Sequence, residues 1–172
     1  SVFQKKDPMD HAYEFALRKN ELPELLYLIL LLHDIGKSDG IQGHAESGVT
    51  ISRPILERFQ VSHDQQEKIL FIIQNHLEMA RFWQRFDIDD IQTAISFSSI
   101  IKNCELLRYL YVHTYCDAKG TAPALWNSFK DAMHSTLYQR TLKYIESQSH
   151  NETLSEESKS MLKQDVLKST QN

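Results

Sequence analysis

Apolar residues along most of the chain recur three and four positions apart, the period of helices that bury one face. The pattern predicts a helix from about His11 to Asn20 and a second, apolar nearly all round, from Leu22 to Asp34, with Pro23 in its first turn. A third helix is expected from His44 to Phe59, kinked or restarted at Pro54, with Ser52 as a candidate cap for the restart. Ser62 caps a fourth, in which Ile69, Leu70, Ile73 and Leu77 recur at helical spacing around a C-terminus at His76. Asp87–Ile101 and Asn103–Lys119 supply two more, and Thr121–Pro123 opens a long last helix running to about Ser147. No stretch alternates with strand period for long. The expected fold is therefore an all-α bundle over residues 1–147, followed by a polar tail or linker, 148–172, with a short amphipathic stretch around Leu154–Leu167.

The polar residues that interrupt these apolar helices carry the candidate chemistry. His33 and Asp34 end the most apolar helix, His44 begins the next, His76 ends the following one, and Asp117 lies near the end of another. An isolated carboxylate in a core is costly and survives there when paired or metal-bound. Imidazole with carboxylate is a ligand set for zinc, manganese, iron or a similar ion, and helix ends can converge on one side of a bundle. Singly, each residue is unremarkable; one metal centre explains all five together. Four of the five glycines (Gly36, Gly40, Gly43 and Gly48) follow the His33-Asp34 doublet at once, marking a loop of unusual backbone angles or close approach.

Composition excludes several alternatives. At 172 residues, 41% hydrophobic and 24% charged, the chain has the make-up of one soluble globular domain. A formal charge of -4 gives no basic footprint, so nucleic acid is not an expected partner. Leu25–Leu32 is far too short for a membrane span. Cys104 and Cys116 form no CxxC pair and read as reduced core residues of a cytoplasmic protein. The glycine loop lacks GxxxxGK[ST] spacing and is no P-loop; no activated serine or cysteine is evident, so water is the expected nucleophile.

The segment LLHDIGK, residues 31–37, resembles the signature of the HD superfamily of metal-dependent phosphohydrolases. Three longer blocks, LLYLILLLHDIGKSDGIQGHAESGV, IQNHLEMARFWQRFDIDD and YCDAKGTAPALWNSFKDAMHSTLY, are similar to the HD domain of bacterial bifunctional uridylyltransferase/uridylyl-removing enzymes acting on protein PII. The likeness spans roughly residues 22–144, with the blocks in the same order. It covers neither the nucleotidyltransferase domain nor the ACT domains of those enzymes, so transferase activity and glutamine sensing are not carried over.

The resemblance implies an HD-domain bundle and a divalent cofactor, one or two ions of Mn, Fe, Zn or Mg. His33, Asp34 and Asp117 match its core metal ligands, with Asp34 placed to bridge if two ions bind. His44 and His76 match histidines completing a second ion site, and Asn75 stands where some relatives carry another histidine. Asp34 and Lys37 are the catalytic candidates, and Lys37 and Lys119 the candidate phosphate contacts. The implied substrate is a phosphate ester or nucleotidyl phosphodiester, with a uridylylated PII-like regulator the first to test. The rival function is a regulatory module that keeps the fold and binds a nucleotide or protein partner without turnover.

Several residues admit blander readings. His113, one helical turn before Asp117, could chelate, but support for the site or plain structure is the expected role. Glu46 could orient a water or simply complement a helix dipole. Arg81 and Arg85 read as exposed surface, Trp83 and Trp126 as core or groove aromatics, and His63, His134 and His150 as polar-surface residues without a role. The superfamily's first histidine belongs on a helix before the doublet. His11 is the only candidate in these residues, set level with His33 if the first two helices form a hairpin. The alternative, which the alignment of the blocks favours, places that histidine upstream of Ser1.

Overall fold

A computed structural model describes residues 8–169, with side chains described for 9–122 and 124–151. Eight α-helices follow one another: α1 (Pro8–Arg18), α2 (Leu25–Leu32), α3 (His44–Arg58), α4 (His63–Asn75), α5 (Glu78–Arg85), α6 (Ile91–Ile101), α7 (Cys104–Thr121) and α8 (Ser128–Ser169). Short 3₁₀ turns cover Ile35–Asp39 and Pro123–Leu125, and no strand occurs among the described residues. The all-α bundle expected from the periodicity is what forms.

α7 is the central element, touching α1, α2, α4, α5 and α8. Its residues 109–115 are all buried, which is why its sequence, LRYLYVHTYCD, carries little charge in the middle. Leu26 and Ile29 of α2, Ile69, Ile72 and Ile73 of α4, and Leu107 and Leu110 of α7 are at most 1% exposed. Each such side chain contributes about 1.5–3 kcal/mol by leaving water. Caps sharpen the ends. Ser62 and Gln65 form a reciprocal capping box on α4, while Asp90, Asn103 and Asn127 accept backbone N–H groups at the starts of α6, α7 and α8.

Several boundaries differ from the sequence expectation. α2 stops at Leu32, so His33 and Asp34 form the turn after it, and its outer face leaves Tyr27 and Leu31 exposed. α3 runs unbroken through Pro54, and Ser52 lies buried within it rather than capping anything. The proline removes one hydrogen bond, to the Thr50 carbonyl, and the neighbouring turns hold the helix. α5 was not anticipated; Met79, Phe82 and Trp83 are its buried stripe.

α6 begins at Ile91 because Asp87 and Asp90 cap a turn there, with Asp89 N–H donating to Asp87 Oδ1 at 2.9 Å. Pro123 drives Ala122 into extended backbone, which ends α7 and delays α8 to Ser128. α8 then passes the expected end near Ser147 and continues to Ser169, since no glycine or proline follows Pro123 to stop it. The amphipathic stretch at 154–167 lies outside the residues whose side chains are described. α1 packs on α7, where Tyr13 stacks between Tyr111 and Tyr115, and so forms no hairpin with α2.

Candidate metal centre

The glycine-rich loop brings the doublet to the start of α3. A Cβ on Gly36 would lie 2.0 Å from the His44 carbonyl oxygen and 2.4 Å from the Gly48 nitrogen, so only glycine lets the 3₁₀ turn rest on α3. Gly48 is close-packed in turn, its missing Cβ 3.1 Å from Ile73 of α4. Gly43, with φ +75°, swings the chain into α3 so that His44 is its first residue. His33, Asp34, His44 and His76 thereby meet at one end of α2, α3 and α4, and α7 adds Asp117.

The three histidines are held in the same way. The Nδ1–H groups of His33, His44 and His76 donate to the carbonyls of Leu30, Ile41 and Ile73, at 2.9, 2.7 and 2.7 Å. That bond fixes the tautomer and leaves each Nε2 with a lone pair. His33 Nε2 lies 3.2 Å from Asp117 Oδ1 and 3.3 Å from Asp34 Oδ2. His44 Nε2 and His76 Nε2 are 3.1 Å apart, and 3.6 and 3.8 Å from Asp34 Oδ1. Lone pairs thus face lone pairs and carboxylate oxygens, an arrangement that repels unless a cation lies between them.

Two candidate metal-binding groups result, His33–Asp34–Asp117 and Asp34–His44–His76, the ligand atoms of each within 4.8 Å of one another. Asp34 belongs to both, with one carboxylate oxygen toward each. Imidazole nitrogens on buried, oriented rings, together with half-buried carboxylate oxygens, fit a divalent transition ion.

The proton equilibria of His33 and Asp117 show the same demand for positive charge. Burial works against His33 protonation, but the hydrogen bond to Asp117, the Leu30 carbonyl and the charges of Asp34 and Asp117 raise its pKa on balance. Asp117 is lowered, chiefly by its hydrogen bond with His33. Burial lowers His76, and the neighbouring imidazoles add to the effect.

Other candidates fall in various places. Lys37 Nζ stands 2.5 Å from Asp34 Oδ2 with half its side chain exposed, at the mouth of the first group. Lys119 turns the other way, donating to the Tyr115 hydroxyl at 2.8 Å and lying 3.8 Å from Asp10. His11 is exposed and outside both groups. Asn75 folds back on the Phe71 carbonyl at 2.8 Å.

Glu46, Arg81 and Arg85 are exposed, and Trp83 and Trp126 are buried core aromatics. Burial pushes the Cys116 thiol up to about 12 and also raises Cys104, so neither is a ready nucleophile. His134 corrects the surface reading. It is fully buried beside Tyr111 and Trp126, with its Nε2–H donating to the Tyr111 carbonyl at 2.9 Å. A polar sequence neighbourhood concealed a residue that faces inward from α8.

The fold and these paired groups define a class, the helical bundle with His/Asp candidate metal-binding groups at the ends of its helices. The chain belongs to the HD domain family, whose match runs over residues 9–94 and takes in His33, Asp34, His44 and His76. Relatives include the bifunctional uridylyltransferase/uridylyl-removing enzyme of Methylococcus capsulatus, 36% identical over 140 residues that cover 81% of this chain and 15% of that protein. The enzyme of the same name from Caulobacter vibrioides is 36% identical over 69% of this chain and 12% of its own. That of Nitrosospira multiformis is 34% identical over 79% and 16%. The chain therefore spans less than a fifth of the length of these curated relatives. No solved structure matches it at a significant level. No helix among the described residues is long and apolar enough to cross a membrane.

Proposed function

We propose that this chain is a metal-dependent phosphohydrolase of the uridylyl-removing type, which cleaves the phosphodiester between UMP and a tyrosine of a PII-like regulator. The observation that carries the reading is the convergence of two His/Asp groups on the single carboxylate of Asp34. His33, Asp34 and Asp117 would hold one ion, and Asp34, His44 and His76 a second. A divalent ion bound there lowers the pKa of a water at the site and offsets charge on phosphoryl oxygens.

The chain's own residues do the rest. The carbonyls of Leu30, Ile41 and Ile73 keep the imidazoles in one tautomer, so the centre is oriented before substrate arrives. Lys37, exposed beside Asp34, is placed to contact a non-bridging oxygen. Water adds to phosphorus in line and the bond to the tyrosyl oxygen breaks, releasing UMP and leaving the regulator's tyrosine as an unmodified phenol, its oxygen taking up the proton that the water gives up. Lys119 takes part only if it leaves Tyr115 and Asp10.

Elemental analysis of protein purified without chelator, beside its Asp34→Ala variant, tests the centre. Wild type should carry manganese, iron, zinc or magnesium, and the variant should lose it. Uridylylated PII and an aryl phosphodiester then test the reaction, with manganese or zinc supplied. Equal metal in both proteins overturns the ligand assignment. Metal-loaded protein that cleaves neither substrate supports the rival regulatory module.

A further inference from the structure

His113 lies behind the metal centre and belongs to neither group. It is completely buried on α7, one turn before Asp117, and neither ring nitrogen has a hydrogen-bond partner. Its ring sits edge-to-face against His33, centroids 4.7 Å apart at 74°, and against His76, 5.9 Å apart at 72°. His33 and His76 are themselves 5.4 Å apart at 77°, so three mutually steep imidazoles form one packed cluster. The two rings it touches come from different groups, His33 from the first and His76 from the second.

A single Nδ1–H bond fixes one edge of an imidazole but leaves the ring a swing about its χ2 axis, a broad torsion. A flanking surface is needed to stop that swing. We propose that His113 is a positioning residue for both ion sites, a buried flat ring that wedges His33 and His76 with their Nε2 atoms facing Asp34. The unpartnered nitrogens indicate that it acts by shape rather than by hydrogen bonding. The ion-site half of this inference rests on the proposed two-ion reading, whereas the ring orientation does not.

The test therefore starts with metal-free protein. Side-chain ¹⁵N–¹H correlation spectra report the tautomer of each histidine. Wild type should show His33, His44 and His76 each in a single form with Nδ1 protonated, whatever proton Nε2 shares with its neighbours. In His113→Ala, His33 and His76 should become tautomer mixtures while His44, which His113 does not touch, stays unchanged. His113→Phe, which keeps a flat ring and removes both nitrogens, should restore the single forms. Should the alanine variant fail to fold, His113→Val leaves less of a cavity and should give the same mixtures. Leu137→Ala, a core truncation elsewhere, controls for general loosening and should leave all three rings alone.

Cobalt titration then reads the consequence: at least tenfold weaker binding at both sites in the alanine or valine variant, and within threefold of wild type in the phenylalanine variant. Unchanged tautomers in the truncated variants overturn the proposal, as does a phenylalanine variant that behaves like them. Wild type that shows the predicted tautomers but binds no cobalt refutes the two-ion reading and leaves the ring-positioning result standing.

Discussion

A single methyl group at Gly36 should disable half of the proposed metal centre. The added Cβ of Gly36→Ala would stand 2.0 Å from the His44 carbonyl oxygen, a full ångström inside the 3.0 Å that real Cβ atoms keep. Its second neighbour is the Gly48 nitrogen, so both obstacles are backbone and neither can rotate away. The 3₁₀ turn and the start of α3 must separate. Forced overpacking of this kind costs about 3 kcal/mol, near the top of its usual range. For a domain of this size that lowers Tm by roughly 6–12 °C. Metal–ligand distances tolerate only about ±0.2 Å, so opening the turn by several tenths of an ångström takes Asp34 out of register with His44. The ion of the Asp34–His44–His76 group should be lost while that of His33–Asp34–Asp117 is retained.

Thermal unfolding and elemental analysis measure both effects. Gly120→Ala is the matched control, because a Cβ there meets nothing within 4 Å. It should be neutral or stabilising by at most about 1 kcal/mol in the last turn of α7. Gly36→Ala protein that melts like wild type with its full metal content would refute the close-approach reasoning.

Lys37→Ala should lower turnover by at least tenfold while metal content stays near wild type, since a protonated lysine contacts phosphate but does not ligate; comparable losses of both would make it a support of the centre instead. His11→Ala should leave metal affinity unchanged because His11 faces solvent, and a tenfold loss in a cobalt titration would contradict that placement. Metal-free protein should lose stability on acidification, partly through His134, whose pKa burial lowers to about 4. The unfolded state binds the extra proton between about pH 6.5 and 4, so stability from this group is full above 6.5 and falls by on the order of 3 kcal/mol toward 4. Denaturant midpoints across that range should fall less steeply in His134→Gln; an identical slope would show that His134 takes up its proton as readily folded as unfolded.

The parts of this protein that were legible in the sequence are those carried by local pattern. The apolar periods of α4, α6 and α7, the Ser62 capping box and the glycine cluster after the doublet each announce themselves within a few residues. Residue chemistry alone singled out the five side chains that form the paired groups, because histidines and aspartates at the ends of apolar helices need an explanation and a shared cation provides one. α5 was missed although Met79, Phe82 and Trp83 have helical spacing, because its eight residues and charged flanks hid it.

What the sequence concealed is the outcome of contacts between distant segments. Level rise along two adjacent helices made His11 look like a partner of His33, yet Tyr13, two residues on, stacks between Tyr111 and Tyr115 of α7. That docking turns His11 outward. The same competition decides Lys119. Its sequence position beside Asp117 pointed to phosphate, but Asp10 of the docked α1 and the Tyr115 hydroxyl offer a nearer ion pair and acceptor. One helix–helix contact therefore sets where two residues lie that local pattern left open. The depth of the centre has the same origin, because a His33–Asp117 approach of 3.2 Å joins residues 84 positions apart. The packing of α2 against α7 within the shared core sets that distance.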